Sequence, residues 1–171
     1  GVYYQYFDAD LGRPVVNEGK DGLQKLDYAI YKAEQEGVRL LITFTNNWEA
    51  FGGMNQYVKW AKLAGENVTG HDDFYTNETI KGWYKDYIKT LLNHENVYTG
   101  VKYKDDPTIF SWELANEPRC ESDAGCENHV VENWASEMSA YVKSIDSNHM
   151  LAVGDEGFYN YGYNDFPEGD H

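Results

Sequence analysis

The chain has 171 residues, enough for one domain with a sizeable hydrophobic core. Its formal net charge of −15 argues against nucleic acid and against an anionic membrane surface, since both are engaged through Lys and Arg. No apolar run reaches the roughly 20 residues that span a bilayer, and a neutral ligand is left open.

Residues 1–19 read as a loop, because Gly1, Gly12, Pro14, Asn17 and Gly19 punctuate them. Asp8-Ala9-Asp10-Leu11-Gly12 lacks the further oxygen ligands of a calcium loop. Residues 21–36 show helical spacing, with Leu23, Leu26, Ile30 and Ala33 on one face and Gly37 as the terminator. Residues 38–45 read as a buried parallel strand, nearly continuous in apolar and β-branched residues. A long excursion, 46–75, holds one short helix over 54–63. The next helix carries Ile80, Trp83, Tyr84, Tyr87, Ile88 and Leu91 on one face. A strand over 108–114 follows Pro107, and a helix then carries Val130, Trp134, Met138, Tyr141, Val142 and Ile145. Residues 150–153 form a last strand, before a Gly/Tyr-rich loop that runs to His171.

Helices alternating with strands imply an α/β fold with parallel strands and helical crossovers. A doubly wound sheet and a (β/α)8 barrel both fit. No G-x-G-x-x-G phosphate loop follows a strand, which disfavours nucleotide binding. The chain is short of the roughly 250 residues of a whole barrel.

In a barrel the chemistry sits at the C-terminal ends of the strands. Three such ends are visible: Asn46-Asn47-Trp48, Asn116-Glu117-Pro118-Arg119 and Asp155-Glu156-Gly157. All are polar, charged or aromatic directly after apolar strands. Aromatic residues make up 16% of the chain, and Tyr and Trp faces suit the apolar faces of sugar rings. Cys120 and Cys126 are candidates for a short-loop disulfide in an oxidising compartment. Two glycosylation sequons, Asn67-Val68-Thr69 and Asn77-Glu78-Thr79, are consistent with secretion. His71, His94, His129, His149 and His171 are scattered without ligand spacing, so no metal site is expected.

Trp112-Glu113-Leu114-Ala115-Asn116-Glu117-Pro118-Arg119 resembles the fourth-strand signature of family 5 glycoside hydrolases, in particular their endo-β-1,4-mannanases. The resemblance continues through residues 22–28, Asn46-Asn47-Trp48 with Gly52-Gly53-Met54-Asn55, Cys120, Ser147-Asn148-His149 and Gly154-Asp155-Glu156-Gly157. It implies a partial (β/α)8 TIM barrel, roughly strands 3 to 5 with their helices. On that reading residues 1–171 are part of one catalytic domain, truncated at both ends. It also implies retaining hydrolysis of β-1,4-mannan, in which two carboxyl groups suffice and no cofactor is needed.

Glu117 matches the general acid/base and Asn116 the residue beside the substrate 2-OH. Arg119 matches the leaving-group side of the cleft, and Asn47 and Trp48 match groove residues on the other side. Glu156 is a substrate-side or supporting carboxylate, and alternatively the nucleophile. The family's nucleophile lies on a seventh strand, so it is expected outside this chain. Glu113, four residues before Glu117 at about 3.3 Å each, stands roughly 13 Å away and reads as a buried structural carboxylate. A monomeric, secreted hydrolase acting on a polysaccharide is the expected whole, and the isolated chain is expected to be poorly stable and inactive. A β-1,4-glucanase of the same fold and a non-catalytic carbohydrate-binding protein are the alternatives.

Overall fold

The computed structural model describes residues 4–122 and 126–156. The Gly/Tyr-rich loop after residue 156, Gly125 and Gly157 lie outside the described residues.

The first segment departs from expectation. In place of a loop, β1 (Gln5–Asp8) and β2 (Arg13–Val16) form an antiparallel hairpin. Its turn is held by Asp8 Oδ1, which accepts from the backbone N–H groups of Asp10 and Leu11, both at 3.0 Å. This is an Asx-type turn, and it uses the carboxylate that a calcium loop would have needed.

α1 (Leu23–Gln35) buries Leu23, Asp27, Ile30 and Ala33. Gly37 ends it at φ +68°, with Gly37 N–H donating to Glu34 and Val38 N–H to Ala33, as in a Schellman motif. β3 (Leu40–Asn46) follows, then α2 (Gly53–Leu63), a single turn α3 (Asp73–Thr76) and α4 (Glu78–Asn93). Asn77 caps α4, its Oδ1 accepting from Ile80 N–H at 3.0 Å. β4 (Ile109–Asn116), α5 (Val130–Ile145) and β5 (Met150–Ala152) complete the order.

The three later strands form one parallel sheet in the order β3-β4-β5. Sequential parallel neighbours joined through helices form an arc of a (β/α)8 barrel, open at β3 and β5 among the described residues. One face packs on the helices. There Phe44 stacks on Trp112 at 5.2 Å and meets Tyr87 of α4 edge-on. Trp112 Nε1 donates to Asp146 at the end of α5, at 2.7 Å. Between the helices, Phe74 contacts Tyr57, Tyr84 and Trp134 with ring centroids 5.4–5.7 Å apart. On the other face Leu41 and Met150 are about half exposed. Glu113 also lies there; it is half-buried, not buried, and its Oε1 accepts from Thr43 Oγ1 at 2.7 Å.

Candidate active site

The C-terminal ends of β3, β4 and β5 are laced together by backbone bonds. Asn47 N–H donates to Asn116 O at 3.0 Å, Ala115 N–H to Val153 O at 3.2 Å and Glu117 N–H to Gly154 O at 2.9 Å. Gly154 permits that approach. Its φ is +95°, and a Cβ there would lie 1.8 Å from the carbonyl oxygen of Ala115. Any side chain at this position would push β5 away from Glu117.

Glu117 directly follows β4 and has φ +54°. A left-handed non-glycine residue costs about 1–3 kcal/mol and tends to be kept where function needs it. The carboxyl is half-buried, and its Oε2 accepts from Trp48 Nε1 at 2.5 Å. Trp48 follows β3 and is 42% exposed. Asn116, also exposed, donates through Nδ2 to Asn46 Oδ1 at 3.0 Å across the aligned ends of β3 and β4.

The Arg119 guanidinium lies 5.2 Å from the centre of the Trp48 ring and forms an ion pair with Glu156. Both members of that pair are largely buried. The structure thus joins Glu117, Trp48, Arg119 and Glu156 in one contiguous chain of contacts. Glu156 is committed to a guanidinium.

Asn47, expected in the groove wall, is fully buried. Its Oδ1 accepts from Arg119 N–H at 3.3 Å and lies 3.4 Å from the Tyr75 hydroxyl, which donates to Arg119 O at 2.9 Å. It braces the backbone beneath the site rather than facing a ligand. Burial, then the negative charge of Asp72, push the Tyr75 phenol well up, so it remains a neutral donor.

Cys120 and Cys126 are joined in a disulfide, Cα–Cα 5.3 Å, as the spacing suggested. Asp72 anchors the segment after Cys120, accepting from the backbone N–H groups of Glu121 and Ser122 at 2.8 and 2.9 Å and from Ser122 Oγ at 2.6 Å. Burial alone would raise the Asp72 carboxyl. Bonds from Ser122, His71 and the two backbone amides outweigh that and hold it below its ordinary range. Neither Tyr75 nor Asp72 stood out in the sequence, because α3 is too short to show a period. A cleft of about 850 Å³ opens elsewhere, among α3, α4, α5 and Ser122, and Glu117 is not in its wall.

A pair of strand ends carrying Asn116-Glu117 and Trp48, with an Arg–Glu pair beside them, can present one carboxyl and one aromatic face to a neutral polyol. Known proteins resemble the chain in the same sense. A model described as GH family 5 beta-mannosidase-like matches residues 17–168. Mannan endo-1,4-beta-mannosidase 4 of Solanum lycopersicum is 52% identical over 136 residues, which is 80% of this chain and 34% of that protein. The endo-1,4-beta-mannanase of Rhizomucor miehei superposes with a TM-score of 0.85 at 48% identity, over 93% of this chain and 45% of that one. The hyperthermostable endo-1,4-beta-D-mannanase of Thermotoga petrophila superposes with a TM-score of 0.76 at 53% identity, over 85% of this chain and 39% of that one. The chain spans about a third of the length of the curated relatives it matches. With a family model covering nearly the whole of it and the strand-end geometry in agreement, the chain belongs to the glycoside hydrolase family 5 β-mannosidase-like proteins.

Proposed function

We propose that this chain supplies the acid/base side of a retaining endo-β-1,4-mannanase. The observation that carries the reading is the placement of Glu117: it ends a parallel strand beside Asn116, its backbone left-handed and its carboxyl bonded to a half-exposed tryptophan. Relatives named as mannan endo-1,4-β-mannosidases and endo-1,4-β-mannanases support the substrate class.

In the proposed reaction Glu117 protonates the departing glycosidic oxygen. A second carboxylate, about 5–5.5 Å away, attacks the anomeric carbon from the other face. Water, deprotonated by Glu117, then releases the sugar. The family resemblance puts the nucleophile on a seventh strand, so we place it outside this chain and give Glu156, paired with Arg119, a supporting role. Asn116 lies beside the reacting sugar's 2-OH. The resemblance puts Trp48 across the cleft from Arg119, but its ring lies 5.2 Å from that guanidinium, so we place both on the leaving-group side, with Trp48 offering a face to the sugar there. We further propose that the protein works outside the cell, which suits the Cys120–Cys126 disulfide, that it acts as a monomer, and that residues 1–171 belong to one catalytic domain.

Sugar release from β-1,4-mannan by the full-length protein that contains this chain, and by its Glu117→Gln variant, tests this reading. Loss of an acid/base group costs about 10²–10⁴-fold in rate, with mannan binding kept. Equal activity in the variant overturns the role of Glu117, and faster release from cellulose than from mannan overturns the substrate. Unchanged binding with no turnover by the unaltered full-length protein would mark a carbohydrate-binding protein.

A further inference from the structure

We propose that Asn67 is an N-glycosylation site, whereas the second sequon, at Asn77, serves as a helix cap and carries no glycan. The proposal rests on the passage through a secretory compartment proposed above. The donor is a lipid-pyrophosphate-linked oligosaccharide. The Asn67 amide nitrogen forms a bond to its C1, the C1–oxygen bond to the pyrophosphate breaks, and the lipid pyrophosphate leaves as the amide gives up one proton.

In the folded chain both sequon hydroxyls are engaged. Thr69 Oγ1 and N–H bond Asp73 Oδ2 at 3.1 and 2.5 Å, and Thr79 Oγ1 donates to Glu66 Oε1 at 2.9 Å. Transfer therefore precedes folding, and the fold decides which product it accepts. Asn67 is exposed, on the irregular segment that leaves α2. Its neighbour Val68 turns into the core at 8% exposure, and the Asn67 side chain makes no hydrogen bond among the described residues. A glycan there stands in solvent and displaces nothing.

Asn77 is different on three counts. It is half-buried. Its carboxamide is the N-cap of α4, the helix that buries Ile80, Trp83, Tyr84, Tyr87, Ile88, Leu91 and Leu92. Its Thr79 also bonds Glu66, the residue before Asn67, so a second glycan would stand close to the first. A sugar on its nitrogen would have to leave from between α3 and the first turn of α4.

The test is secretion of the protein from a yeast host under that host's leader, followed by intact mass and peptide mapping before and after a peptide N-glycanase, the amidase that converts glycosylated Asn to Asp. One glycan is expected, on Asn67. It should be lost in Asn67→Gln and kept in Asn77→Asp, which removes the sequon and preserves a capping oxygen. A glycan found on Asn77, or oxidised protein with both sequons bare, overturns the assignment. Cys120 and Cys126 report on the compartment separately: if they stay reduced in the exported protein, the secretory reading itself fails.

Discussion

Trp48 Nε1 donates to Glu117 Oε2 at 2.5 Å, so the ring expected to meet substrate also holds the proposed acid/base. An indole N–H can only donate. Its bond therefore strengthens as Glu117 gives its proton away, and stabilises the carboxylate that the first step creates. Hydrogen bonds to charged groups are worth about 1.5–3 kcal/mol. Trp48→Phe, which keeps a ring under Arg119 but loses the N–H, should lower kcat on mannan about 10- to 100-fold with little change in KM. Trp48→Ala should raise KM as well. Equal kcat in Trp48→Phe and the parent would mean the bond takes no part in the reaction.

Arg119 and Glu156 form the second pair of the site. Side-chain exposures of 16% and 20% leave either charge poorly solvated if its partner is removed. Glu156→Gln should cost about 2 kcal/mol, below the 3–5 kcal/mol of a fully buried pair, read as a lower urea midpoint. Arg119→Lys should weaken the contact with Trp48, because an ammonium cannot stack as a planar guanidinium does. Were Glu156 the nucleophile, Glu156→Gln would abolish turnover; the supporting role proposed for it instead predicts residual activity.

Asp27 sits on the apolar face of α1 with no exposed surface. It accepts from Tyr103 Oη at 2.5 Å and bonds His94 Nε2 at 3.0 Å, while His94 Nδ1 meets Glu18 at 3.0 Å. Burial first, and this bond second, push the Tyr103 phenol up. Asp27→Ala would strand both partners in the core and should destabilise the protein by about 3–5 kcal/mol. Asp27→Asn should cost less, since the amide keeps an acceptor for Tyr103. Urea melts of the two variants check the order.

Stability should fall in acid. Burial opposes ionisation of Asp146, but bonds from the His149 side chain and backbone, Trp112 and Asn148 outweigh it and hold its carboxyl below the usual range. Asp72 is lowered in the same way, and Glu137 chiefly by Lys85 and then Lys81. A carboxyl lowered in the folded state adds stability that is present above its unfolded value, about 4. That stability is lost as pH falls through the lower folded value. Urea midpoints should therefore be flat from about pH 7 to 5 and drop below about pH 4. Asp146→Asn should be less stable at neutral pH and show a shallower drop.

The sequence by itself determined the main architecture. Periodicity of 3.6 in residues 80–91 and 130–145, and the nearly continuous run of apolar and β-branched residues before Asn46, demand helices packed on a parallel sheet, because only burial of those faces removes them from water. The Asn116-Glu117 motif and the close cysteine pair were legible for the same reason: they are local patterns. The hairpin β1–β2 was not. Its strands have four residues each, too few to show alternation, and Gly12 and Pro14 mask them.

Tertiary structure alone decided which polar groups meet. Asp27 and His94 are 67 residues apart, and Trp48 and Glu117 are 69 apart. It also decided that Asn47 faces inward while its neighbour Trp48 faces the site. Such pairings follow from strand register and helix docking. A one-residue slip in strand register would turn each strand side chain to the opposite face, and no single stretch of sequence encodes that choice.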